Sequence, residues 1–214
     1  MSNEQHPKVI IKCPACGQFH LHKKPHGGHL HSAANFSDGR LSTPLMSEHP
    51  LYVKCRYNGC DVFFKAREHS GELHTHEGHE ELMLDFLTAD EYRKAIGDGL
   101  FNVSKHEDEW HEDVFSLRVL LWRAYNRQSV EKGLTKAERA AYDENCREII
   151  TLLSKKKDDE SLLLKAELYR NIGNFDMCIC LLRQIKKPEN FRVFIDEITA
   201  ACEAENHKTI EISG

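Results

Sequence analysis

The chain contains no apolar run approaching the ~18 consecutive residues that a membrane span requires. Its opening, MSNEQHPKVI, lacks the basic, then apolar, then small-residue order of a secretory signal peptide. These two absences lead us to expect a cytoplasmic protein. Also missing are G-x-x-x-x-G-K-[ST], G-x-G-x-x-G after a strand, H-E-x-x-H and G-x-S-x-G. The sequence therefore gives no sign of a phosphate loop, a dinucleotide fold, a zinc protease or a serine hydrolase. Overall charge is modest, −5 over 214 residues, so whole-protein attraction to nucleic acid is not expected. Hydrophobic residues at 40% and charged residues at 29% describe a globular chain long enough to bury a core.

Cysteine is not scarce. There are eight, and in a reducing compartment clustered thiols point to metal or redox chemistry rather than disulfides. Cys13 and Cys16 lie in CPACG and Cys55 and Cys60 in CRYNGC, giving C-x2-C, 38 intervening residues, then C-x4-C. Two close thiolate pairs suit Zn2+, which takes four sulfurs tetrahedrally. Pro14 fixes the first turn, Gly17 lets backbone amides point at the sulfurs, and Asn58-Gly59 supplies a turn that brings Cys60 round. The alternating runs KVIIK and LYVK lead into the pairs, and VFFKA leads out of the second. This layout resembles a zinc ribbon, in which two knuckles face each other from β-hairpins. The resemblance implies one structural Zn2+ on Cys13, Cys16, Cys55 and Cys60, with an inserted loop between the pairs. A thiol–disulfide reading of C-P-A-C competes, but such motifs open a helix, and GQFHLHKKPHGGH is too rich in Gly and Pro for one. A second alternative makes some of the four ordinary buried thiols. Cys146, Cys178, Cys180 and Cys202 fall in helical stretches and read as small core residues.

Eleven of the 14 histidines lie between His6 and His79, including His20, His22, His26, His29 and His31, and then His74, His76 and His79. Such density can bind transition metals. The simpler reading is a flexible polar loop; a second, catalytic metal at HTHEGH and a proton-sensitive switch are the alternatives.

Beyond residue 80 the pattern becomes helical. Capping boxes stand at Thr88–Glu91 and Thr135–Glu138. Between them, Phe115, Leu117, Val119, Leu120, Leu121, Trp122 and Tyr125 surround a central helix, while Tyr142, Cys146, Ile149, Ile150 and Leu153 mark one face of the next. KKKDDE reads as a solvated turn. Ala166, Tyr169, Gly173, Phe175 and Cys178 in KAELYRNIGNFDMCICLL resemble the helix–turn–helix of a tetratricopeptide repeat (TPR). A last helix is expected from Pro188 over 189–205. The expected fold class is α+β: a small β-rich zinc-ribbon or knuckle domain over 1–67, a linker over 68–87, and an all-α, TPR-like helical-hairpin body over 88–214.

Residues 1–67 hold nine Lys/Arg against four Asp/Glu, whereas the remainder holds 20 against 30. The leading functional expectation is a non-enzymatic zinc-binding adaptor whose helical body binds another protein. Zinc-ribbon heads joined to repeat-like tails look like bacterial accessory or adaptor proteins. One alternative is nucleic-acid binding through Lys8, Lys12, Lys23, Lys24, Arg40, Lys54, Arg56, Lys65 and Arg67, with Phe19, Tyr57, Phe63 and Phe64 available to stack. The other is a metal-dependent enzyme that uses the His-rich segments.

Overall fold

The alternating runs become strands and the capped segments become helices. A computed structural model of the chain describes residues 8–23, 34–42, 52–66, 70–72, 82–83, 87–97 and 107–212. In chain order the strands are β1 (Lys8–Lys12), β2 (Phe19–Lys23), β3 (Ala34–Phe36), β4 (Leu41–Ser42), β5 (Tyr52–Lys54), β6 (Phe63–Lys65), β7 (Ser70–Glu72), β8 (Leu82–Met83) and β9 (Glu211–Ile212). The helices are α1 (Ala89–Gly97), α2 (Glu107–Glu131), α3 (Lys136–Leu152), α4 (Asp159–Asn171), α5 (Phe175–Leu182) and α6 (Arg192–Glu203). The protein is thus mixed α+β. Among the described residues, no helix is long and apolar enough to cross a membrane.

The chain forms two compact units: Met1–Ala33 with Ser42–Lys105, and Ala34–Leu41 with His106–Gly214. In the first, β1 and β2 pair antiparallel with Ile11 opposite His20 and Lys12 opposite Phe19. Strand β7 adds to the other edge of β1, and β8 runs parallel beside β2. Both added strands fall within the stretch expected as linker, where Gly71 offers a small residue to the pairing with Ile10. A second hairpin sets Val53 opposite Phe64 and Lys54 opposite Phe63. Ile11, Cys13, Val53, Cys55, Phe64 and Ala66 form a small core between the two hairpins. Helix α1, expected to open the helical body, belongs to this first unit. Its Thr88–Glu91 capping box forms, and the Glu91 carboxylate also takes Arg56 at 3.1 Å.

In the second unit each helix from α2 to α6 packs on its chain neighbour, and α4 also packs on α6. Leu117, Leu121, Trp122 and Tyr125 are the buried residues of the expected central stripe, whereas Phe115, Val119 and Leu120 stay half-exposed. The Thr135–Glu138 box forms in full ahead of α3. The charge run contains a cap as well as a turn: Asp158 accepts the Ser161 amide at 2.9 Å and starts α4. Helix α4 ends at Gly173, whose φ of +80° lets Asn174 N–H reach Tyr169 C=O while Gly173 N–H reaches Arg170 C=O. Those two bonds are the Schellman closure that glycine favours, and they reverse the chain into α5. After Pro188 the chain makes a 3-10 turn, Pro188–Phe191, before α6 begins, so the last helix is shorter than expected.

A polar chain runs through the interior of this second unit. Trp122 Nε1–H donates to Asn171 Oδ1 at 2.9 Å and to Tyr142 OH at 3.2 Å. Tyr142 donates to Asn126 Oδ1, and Asn126 Nδ2 donates to the buried carboxylate of Asp38 at 2.9 Å. Arg40 pairs with the same carboxylate at 2.7 Å. Asp38 lies on the β3–β4 turn, so part of the insert between the cysteine pairs is built into the second unit. Strand β9 pairs with β3 there, and Ser37 Oγ accepts the Ile210 amide.

Candidate metal centre

Each cysteine pair sits where a hairpin turns. Between β1 and β2 the Cys13 amide donates to Gln18 C=O and the Gly17 amide to Cys13 C=O, at 2.9 and 3.0 Å. Gly17 has φ +75°, a conformation that would strain any side chain. Between β5 and β6, Cys60 N–H closes on Tyr57 C=O at 2.9 Å, with Asn58 and Gly59 at φ +40° and +77°. Positive φ at both central positions is the requirement of a type I′ turn, which Asn-Gly meets. That turn absorbs the two extra residues of C-x4-C relative to C-x2-C.

The four sulfurs of Cys13, Cys16, Cys55 and Cys60 all lie within 4.8 Å of one another. Cys13 Sγ is 3.8 Å from Cys60 Sγ, and Cys16 Sγ is 3.6 Å from Cys55 Sγ. A tetrahedron with metal–sulfur bonds of ~2.3 Å has edges of ~3.8 Å. The cluster therefore has the size and donor set to hold a tetrahedral metal ion, and both of these contacts cross between the two hairpins. Cys13 and Cys55 are buried, Cys60 is half-exposed and Cys16 is exposed.

Three sulfurs accept a main-chain amide from the residue two positions on: Gln18 for Cys16, Tyr57 for Cys55 and Val62 for Cys60. For Cys16 this bond is the dominant influence and draws the thiol below its ordinary range. Burial pushes the Cys55 and Cys60 thiols up. A cation placed among the four would reverse that cost by stabilising every thiolate.

A fifth side chain stands against the cluster. His20 Nε2 is 3.3 Å from Cys55 Sγ, and the ring is 2% exposed. Burial holds its pKa below the usual imidazole value. Sequence reasoning grouped His20 with the flexible His-rich loop. The hairpin itself carried the missed signal: counting back from the knuckle places His20 opposite Ile11, a core position. His26, His29, His31, His74, His76 and His79 lie outside the described residues, as do Lys24 and Arg67. Among the described residues, the metal-binding side chains that gather closely enough for one ion are the four cysteines.

The basic and aromatic residues of this unit are largely engaged. Lys54 reaches Asp61 at 2.8 Å, and Arg56 is paired with Glu91. Phe63 and Phe64, offered as stacking residues, are both buried. Arg40 belongs to the second unit, held on Asp38. Of the helical cysteines, Cys146, Cys178 and Cys202 are buried but Cys180 is exposed.

No protein-family model, no curated protein and no solved structure matches this chain.

Proposed function

We propose that Cys13, Cys16, Cys55 and Cys60 hold one structural Zn2+, that the first unit is a zinc-ribbon-like module, and that the protein is a non-enzymatic adaptor. The observation that carries this reading is the four-sulfur cluster, whose edges match a closed tetrahedral site with no position left for substrate. Zinc suits four thiolates, and the small core around them explains why a metal is needed. Among the described residues, Ile11, Val53 and Phe64 are its sizeable buried apolar members besides the cysteines, with Tyr57 packed against them, whereas structural zinc supplies an apparent ~10–16 kcal/mol to such modules. The site requires reduced thiols, which fits a cytoplasmic protein.

The helical unit, in this reading, is a short TPR-like array that docks another protein. Its α4–Gly173–α5 hairpin supports that reading, as does an open groove of about 680 Å³ lined by Arg147, Ile150, Tyr169, Phe175 and Asp176. Nucleic-acid binding is the weaker reading. Lys54 and Arg56 are already neutralised by carboxylates, and Phe63 and Phe64 are committed to burial.

Cys13→Ser and Cys55→Ser should each release the metal and unfold the first unit while the helical unit keeps its far-UV circular dichroism. Full metal retention by both variants would sink the site. For the partner, capture from lysate followed by a salt titration separates the two readings, because a groove contact weakens little with salt and phosphate contacts weaken steeply.

A further inference from the structure

We propose that His20 is a positioning residue of the metal centre: its Nε2–H donates to the Cys55 thiolate and keeps that ligand on the ion. This inference rests on metal binding at the four cysteines.

Four thiolates around a divalent cation leave a net charge of about −2, which must be dispersed where water is excluded. Cys16 and Cys60 reach solvent, so water can take part there. Cys13 and Cys55 do not, and of those two it is Cys55 that an imidazole meets, at 3.3 Å. A metal-bound thiolate has lone pairs and no proton, so the donor in this contact must be the ring. That requirement fixes the proton on Nε2. Cys55 then receives two N–H donors, the Tyr57 amide and His20. The ring does not join the cluster whose ligand atoms all lie within 4.8 Å of one another, so it supports a ligand and is not itself one.

Position is secured by the backbone. His20 is locked into β2 opposite Ile11, on a strand held on one side by β1 and on the other by β8. A ring fixed in this way loses little freedom on making the bond. Partners of this kind orient a metal ligand and lower the charge it must carry alone. Without the N–H the buried negative charge on the Cys55 sulfur is less compensated, so the sulfur is more nucleophilic and is more readily protonated or alkylated off the ion.

The test uses the full-length protein loaded with Zn2+ or Co2+. His20→Phe keeps a buried ring without a donor, and His20→Gln places a side-chain N–H at a similar reach. We expect His20→Phe to lose about 10- to 100-fold in metal affinity by chelator competition. It should also shift the thiolate-to-cobalt charge-transfer band and make Cys55 the first cysteine alkylated by iodoacetamide. His20→Gln should restore much of the affinity and the band position. Wild-type affinity and spectrum in His20→Phe, or no recovery in His20→Gln, would overturn the proposal. Should His20→Phe fail to fold, NMR of isotope-labelled wild-type protein loaded with cadmium decides. A proton on Nε2 coupled to the metal across the sulfur supports the bond, and a ring protonated on Nδ1 alone overturns it. Wild-type protein that takes up neither Zn2+ nor Co2+ would overturn the metal reading and this inference together, whereas normal loading with a silent His20→Phe overturns this inference alone.

Discussion

Replacing Arg170 by Met should come close to unfolding the helical unit. Arg170 and Glu167 lie one turn apart on α4, 0% and 1% exposed. The guanidinium grips the carboxylate with two bonds, Nε to Oε2 at 2.8 Å and Nη2 to Oε1 at 2.5 Å. Its remaining donors meet the Asn206 carbonyl and Ser37 Oγ. The substitution strands a buried carboxylate whose remaining donor is Asn171 Nδ2 at 3.2 Å. Breaking such a pair costs about 3–5 kcal/mol, and the two further lost bonds bring the total to about 4–6 kcal/mol. Folded domains have about 5–15 kcal/mol in all, so little remains. Urea denaturation followed by far-UV circular dichroism would show the midpoint falling by about 1.3 M or more, given a slope of about 1–3 kcal/mol/M. Adding Glu167→Gln removes the stranded charge and should recover about 2 kcal/mol. A loss below about 1 kcal/mol for Arg170→Met, or no recovery in the double variant, would refute the claim that a buried ion pair anchors α4.

Two further substitutions test local features. Glu138 is held down to about 2, chiefly by the Thr135 amide, then by the Thr135 hydroxyl and Gln128. Its folded pKa lies below its unfolded one, so its contribution is complete above pH ~4.3 and disappears as pH falls towards 2. Melting temperatures across that window should fall less steeply for Glu138→Gln than for wild type, and equal slopes would discount the cap. Glu205 closes α6 with φ +51°, where Asn206 N–H reaches Ala201 C=O at 2.8 Å. A non-glycine residue in that conformation is strained by about 1–2 kcal/mol. Glu205→Gly should therefore raise the melting temperature by a few degrees, and a lower value would contradict the strain.

The features written in short-range chemistry were legible before the structure. The four cysteines gather as their spacing suggests, Asn58-Gly59 makes its turn, both capping boxes form, and Gly173 takes the positive φ its turn demands. What stayed hidden depends on partners distant in sequence. Asp38, in a segment that reads as an inserted loop, is buried because Asn126 meets its carboxylate and Arg123 its carbonyl, 88 and 85 residues away. Glu167, Arg170 and Asn171 look like an ordinary polar face at helical spacing, yet all three point inward, satisfied by one another and by the chain around residues 206–207. His20 hid in a run of histidines, and only the register of β1 with β2 separates it from its neighbours. Helix periodicity could not assign α1 to a unit either, because the Arg56–Glu91 pair that holds it joins residues 35 apart.

The most direct test of the account is the metal content of untagged protein by plasma mass spectrometry, with thiols mapped before and after chelation. One zinc per chain is expected, and chelation should newly expose Cys13, Cys16, Cys55 and Cys60 among the eight cysteines. Protein without zinc, or zinc retained while those four thiols react freely, would contradict it.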